Sequence, residues 1–227
     1  MATRLDAIVV EALDPAGQAR FWAEALRWRL AEPDSADAPV IVRPDAPGGF
    51  GLWFVAASGP KTAKNRLHLD LVPGPDQARQ VGRLLALGAA HRDIGQGDVP
   101  WVVLADPEGN EFCVLAKAEG AGELAAVCLD AGAPAVQGPF WAAATGWPIV
   151  EQAAWGVRLR AADGGQSLVM GPPVAGKHGT NRLRPRLAPE GGSTLRAEAE
   201  RLRAAGAAAL DGAFADPEGN EFHIAEP

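Results

Sequence analysis

The chain has 227 residues, a formal charge of −7 at pH 7, and 48% apolar against 22% charged residues. That balance excludes a disordered chain, and an acidic surface lacks the basic footprint that a phosphate backbone demands, so nucleic acid is not an expected partner. No run approaches the ~20 apolar residues of a membrane span and the start, MATRLDAIVVEALD, has no long apolar leader core, so membrane insertion is not expected and a cytoplasmic protein is.

In chain order, the first strand is expected at the β-branched run Ala7–Val10. Asp14-Pro15 then opens a helix, Asp as the N-cap and Pro at the first helical position, where its missing N–H costs nothing. Ala19, Phe21, Trp22, Ala25 and Leu26 give that helix a broad apolar face. Strands are expected at Trp28–Leu30, Pro39–Val42 and Gly51–Val55, separated by Asp, Pro and Gly turns. The order then restarts. Leu67–Val72 reads as a strand, and Gln77–Leu87 as a helix with Val81, Leu84 and Leu85 inward and Gly88 as its stop. Trp101–Leu104 and Phe112–Leu115 read as strands joined by the turn residues of DPEGN. One half of the chain is thus βαβββ written twice.

The other half repeats it. FWAEALRW (Phe21–Trp28) returns as FWAAATGW (Phe140–Trp147), NRLHLDL (Asn65–Leu71) as NRLRPRL (Asn181–Leu187), and DPEGNEF occurs at Asp106–Phe112 and at Asp216–Phe222. A boundary is expected in the Gly-rich break Glu119–Gly122, giving domains 1–118 and 123–227. Expected elements of the second are strand Ala125–Leu129, a helix near Gln137–Thr145 interrupted by Gly138 and Pro139, strand Leu183–Leu187 and helix Thr194–Ala205, which Gly206 ends. The copies draw closer together along the chain. The segment before Asp216 is the shortest relative to its counterpart, which predicts loss of most of a strand there and a second cleft that is open or used for docking. DPEGNEF itself reads as a hairpin corner.

FWAEALRW, Gly59–Leu71 and DPEGNEFCVL (Asp106–Leu115) resemble the vicinal oxygen chelate superfamily of glyoxalases, bleomycin-resistance proteins and extradiol dioxygenases. The resemblance implies an α+β fold of tandem domains, each two βαβββ modules whose sheets curl around a cleft, with chemistry on the concave face, usually at a divalent metal. Metal-binding members draw His, Gln or Glu from the first and last strands of the modules. The resemblance places those positions at Ala7, His68 and Cys113 in the first half, and at Ala126, Arg184 and His223 in the second. Ala7 and Ala126 cannot bind a metal. Glu11 or Asp130 would replace them only in a shifted register. Such a set is short of what zinc or magnesium requires, so no metal and no other cofactor is expected.

Strand alternation puts Asp70 on the same face as His68, and Glu111 on the same face as Cys113, with Leu67, Leu69, Leu71, Phe112 and Val114 in the core. The first cleft is therefore expected to hold His68, Asp70, Glu111 and Cys113, flanked by Trp53 or Phe54 and by Trp101. His68 beside a carboxylate has the makings of a general base. The second cleft carries Arg184, Arg186, Glu221 and His223, which would clamp an anion or pair with acids nearby. The basic loop Lys61–Arg66 reads as a solvated linker.

Two functions compete. One is a protein that sequesters a small organic molecule in an aromatic-lined cleft, with Trp53, Trp101, Cys113, Arg184, Arg186, Glu221 and His223 as contacts. The other is an enzyme, a lyase or isomerase using His68 with Asp70 or Glu111, or a metal enzyme with a non-standard site. Tandem domains make a monomer or a homodimer the expected assembly.

Overall fold

The computed structural model describes residues 3–31, 35, 38–45, 49–117, 123–162 and 165–226; the expected boundary at Glu119–Gly122 lies outside them. Four βαβββ modules follow one another. The first holds β1 (Thr3–Ala12), α1 (Pro15–Leu26), β2 (Arg29–Ala31), β3 (Val40–Arg43) and β4 (Gly51–Ala56). The second holds β5 (Leu67–Leu71), α2 (Gln77–Ala86), β6 (Ala90–His91), β7 (Val102–Ala105) and β8 (Glu111–Val114). The third holds β9 (Leu124–Asp130), α3 (Pro134–Thr145), β10 (Ile149–Ala153), β11 (Gly156–Arg160) and β12 (Ser167–Gly171). The fourth holds β13 (Leu183–Pro189), α4 (Leu195–Ala204), β14 (Ala208–Leu210), β15 (Ala213–Ala215) and β16 (Glu221–Ile224).

Local chemistry accounts for these elements. The Asp14 carboxylate accepts the Gly17 N–H at 2.9 Å and caps α1. Helix α3 runs through Gly138 and Pro139. Pro139 is exposed, so water reaches the carbonyl it leaves unpaired, and a side chain at Gly138 would meet Val157 at 3.0 Å, which explains the glycine. The strand expected to be lost before Asp216 is kept. The shortening falls on the loop between β14 and β15, now the tight Asp211-Gly212 turn with Gly212 at φ 70°. No described helix is long and apolar enough to cross a membrane.

The α+β class and the curled sheets are as expected; the pairing of modules corrects the expected clefts. Two eight-stranded sheets form, in the orders β14-β15-β16-β13-β1-β4-β3-β2 and β10-β11-β12-β9-β5-β8-β7-β6. The first joins modules one and four and is called here the terminal sheet. The second joins modules two and three and is called the central sheet. At the joints β1 pairs antiparallel with β13, and β5 with β9. Each cleft is therefore shared between the two halves of the sequence.

Helices α1 and α3 lie between the sheets. Trp22 of α1 meets Phe112 of β8 with ring centroids 5.2 Å apart, and Trp141 of α3 meets Phe222 of β16 at 5.6 Å. DPEGNEF forms the expected corner and does more. Asp106 accepts the Trp22 indole N–H at 3.1 Å and a Gln18 N–H at 3.2 Å, while Glu108 accepts the N–H groups of Leu13 and Asp14 and the Arg182 guanidinium. Asp216 holds Trp141, and Glu218 accepts from Gly132 and Ala133, in the same manner. Burial, only partly offset by these hydrogen bonds, raises the Asp106 pKa above its ordinary value. The repeated motif thus fastens the hairpin of one sheet to the first helix of a module in the other. The faces of the sheets turned away from the helices form two hollows.

Candidate functional site

In the central hollow β5 lies between β8 and β9, with Asp70 opposite Cys113 on one side and Ala126 on the other. Leu67, Leu69 and Leu71 are buried in the core, so His68 and Asp70 face the hollow, as alternation requires. His68 Nε2 is 3.4 Å from Asp70 Oδ1. Cys128 donates its thiol to Asp70 Oδ2 at 3.0 Å. His68, Asp70 and Cys113 bring one donor atom each within 4.8 Å of one another. Burial, and then Asp70, push both cysteine thiols above their ordinary value, so both remain protonated. Asp70 Oδ1 is buried, and its one polar neighbour among the described residues is His68, too poorly aligned for a hydrogen bond.

A cavity of about 620 Å³ opens beside Asp70. Ala126 and Ser167 form its floor, Val150 and Val169 its apolar walls, and Arg158 and Arg160 its far side. Val157 and Leu159 point into the core, which turns the two arginines of β11 outward. Arg158 is held by Glu151 at 3.3 Å. Arg160 makes no side-chain bond among the described residues, and its Nε is buried. These wall residues were missed in the sequence because β10 to β12 were not read there. The signal existed: GVRLR alternates apolar and basic residues over a full strand.

The other expected contacts lie elsewhere. Glu111 is 5% exposed and accepts Lys61 Nζ at 2.6 Å and the Asn65 N–H at 3.2 Å, so an internal ion pair occupies it. The loop Lys61–Arg66 is accordingly not a solvated linker. The Lys61 side chain is 8% exposed, Arg66 binds Glu218, and Lys64 binds Asp130, because the loop crosses a joint lined with acids. Trp101 precedes β7, is 38% exposed and does not line the cavity. Trp53 does not flank His68 at all: it sits on β4, in the terminal sheet, and Phe54 is wholly buried in the core.

The terminal hollow is filled by its own side chains. Arg184 donates to Glu11 at 2.7 Å, to the Asn181 carbonyl at 2.7 Å and to His223 Nε2 at 3.2 Å. Arg186 binds Asp6 and lies 4.2 Å over the Trp53 ring. Burial and then the neighbouring Arg184 lower the His223 pKa, so its Nε2 is the acceptor of a neutral ring. Glu221 is engaged by Lys177 at 2.6 Å and by the Asn181 N–H; burial pushes its pKa up, but these hydrogen bonds together outweigh it and hold the pKa low. Ala7 and Ala126 occupy equivalent floor positions, so the register is not shifted, and Glu11 and Asp130 are both taken up in ion pairs.

Compared with known proteins, residues 7–115 and 126–225 each match the glyoxalase-like domain. Glyoxalase I from Zea mays superposes with a TM-score of 0.68 at 15% identity, over 99% of this chain and 92% of that one. A candidate dioxygenase from Bacillus subtilis does so with 0.64 at 16% identity, over 97% and 84%. At such identities the likeness is one of fold. No curated protein sequence matches the chain.

Proposed function

The chain belongs to the glyoxalase-like domain family, and on that premise we propose that it binds a small organic molecule in the central hollow, without a divalent metal, as a sequestering protein. One observation carries this. In the terminal hollow Arg184 and Arg186 are paired with Glu11 and Asp6 beside Trp53, whereas the central hollow keeps a cavity of about 620 Å³ lined by Asp70 and by Arg160, which has no ion partner among the described residues. A ligand with groups complementary to those two side chains would pair them, and the volume falls in the range of small-molecule sites.

Donor chemistry supports the metal-free part. Of the donors that converge there, His68, Asp70 and Cys113, the Asp70 carboxylate is already engaged by the Cys128 thiol. The facing strands offer Ala126, which cannot coordinate, and the Ser167 hydroxyl. Elemental analysis after dialysis tests it: the expected result is no stoichiometric metal, and one retained equivalent of zinc, iron or manganese overturns it.

A second reading, acid–base catalysis, has the His68–Asp70 pair behind it. Glu111 is not available to it, being occupied by Lys61. His68→Ala separates the two. A binder keeps its affinity nearly unchanged, whereas acid–base chemistry falls ~10²–10⁴-fold.

A further inference from the structure

We propose that the ligand of the central hollow is an elongated organic anion, with its anionic oxygens on Arg160 and Lys117 and a hydrogen-bond donor on Asp70. This rests on the reading of that hollow as a binding site and goes beyond it by naming the ligand class. The charges that line the cavity are uneven. Arg158, Arg160 and Lys117 face two acids, Asp70 and Glu151. Glu151 is taken by Arg158, and Asp70 stands beside His68. Arg160 is left with no acceptor among the described residues, although its side chain lines the cavity. A guanidinium fork in that state matches a carboxylate or phosphate-type group, which accepts two of its N–H groups at once.

The anion preference is local. The chain carries −7 overall, so its long-range field repels anions, and only a contact in the hollow would select them. Length follows from topology. β11 and β5 are separated by β12 and β9, which makes three strand-to-strand steps, or roughly 14 Å along the sheet. A ligand reaching from Arg160 to Asp70 must span most of that distance, and Val150 and Val169 ask for an apolar body between its ends.

The test uses two fluorescent probes with the same aromatic body: anilinonaphthalene sulfonate, and N-phenyl-naphthylamine, which lacks the sulfonate. The full chain is expected to bind the sulfonate about tenfold more tightly than the neutral probe. Arg160→Met should abolish the preference and Arg160→Lys, which keeps the charge and loses the fork, should retain only part of it. Val169→Trp, which places in this hollow the side chain that Trp53 supplies to the other, should exclude both probes. Equal affinity of the unaltered protein for the two probes overturns the anion assignment alone, and so does a preference that survives Arg160→Met. If neither probe binds, or if both still bind to Val169→Trp, the hollow itself is not the site and the inference falls with it. The comparison of the two probes on the unaltered chain decides the matter even where a variant fails to fold.

Discussion

The two hollows occupy one scaffold and reach opposite ends. Ala7 lies between Gly51 and Arg186 in the terminal sheet just as Ala126 lies between Ser167 and Asp70 in the central one. From that register Arg184 stands where His68 does, Arg186 where Asp70 does, His223 where Cys113 does, Arg43 where Arg160 does, and Trp53 where Val169 does. The terminal set closes on itself. Arg186 and Arg184 find Asp6 and Glu11 on β1, and Trp53, with Arg43 at its ring, fills the space above them. The central set has Ala126 and Ser167 on its floor and Val169 beside them, too small to fill the space or reach the polar groups around it. One hollow therefore contributes to holding the chain folded, and the other is left with chemistry for a guest.

The largest expected break in this comparison is in stability. Arg184→Met strands Glu11 beside a hollow that no longer neutralises it and removes the donor to His223. Loss of one partner from a largely buried ion pair should cost about 3 kcal/mol in urea unfolding. Arg160→Met, at the place of Arg43 in the other sheet, removes a cation that has no ion partner among the described residues, and should change stability by less than about 0.5 kcal/mol. Equal losses for the two variants would mean that both hollows are internally satisfied, and the functional distinction would collapse.

A smaller difference should appear with pH. His223 has its folded pKa depressed below the ordinary 6.5, by burial and by Arg184. The unfolded chain takes up this proton first. The contribution to stability is therefore whole above 6.5 and is lost as pH falls below 6.5 toward the folded pKa. Glu221, held below its ordinary 4.5, titrates beneath that window. Thermal melts of the unaltered chain and of His223→Gln should diverge on acidification below 6.5. The corresponding pair for Cys113→Ser should stay parallel between about pH 5 and 8, because that thiol titrates in neither state there. A flat His223 difference would show that burial and Arg184 do not hold the ring's pKa down.

Much of the scaffold was legible from local pattern. The alternation of LHLDL placed three leucines in the core and His68 and Asp70 outside, and Asp14-Pro15 marked the start of α1. Sheet pairing was not legible. NRLHLDL and NRLRPRL are near copies, so no local feature tells β1 to join β13 and not β5; long-range packing decides. That is why Trp53 was assigned to the wrong hollow. The basic loop misled for a related reason: Lys61 reads as solvated until Glu111, distant in sequence, is brought against it. Arg160 escaped because its strand was never identified, although GVRLR carried the period-two signal.

The smallest effect concerns the residue that fills the terminal hollow. Trp53 stacks under Arg186 at 4.2 Å, and its indole N–H is buried with no acceptor among the described residues. Trp53→Phe acts on both facts in opposite directions. It weakens the cation–π contact, worth about 0.5–2 kcal/mol with a Trp ring, and removes some buried apolar area. It also deletes an unpaired buried donor that costs about 1–3 kcal/mol to keep dry. The two nearly cancel, so the free energy of unfolding in urea should change by less than about 1 kcal/mol at constant slope. A loss well above that would mean that the indole N–H is bonded in solution, by water or by a ligand. The terminal hollow would then be as ready for a guest as the central one.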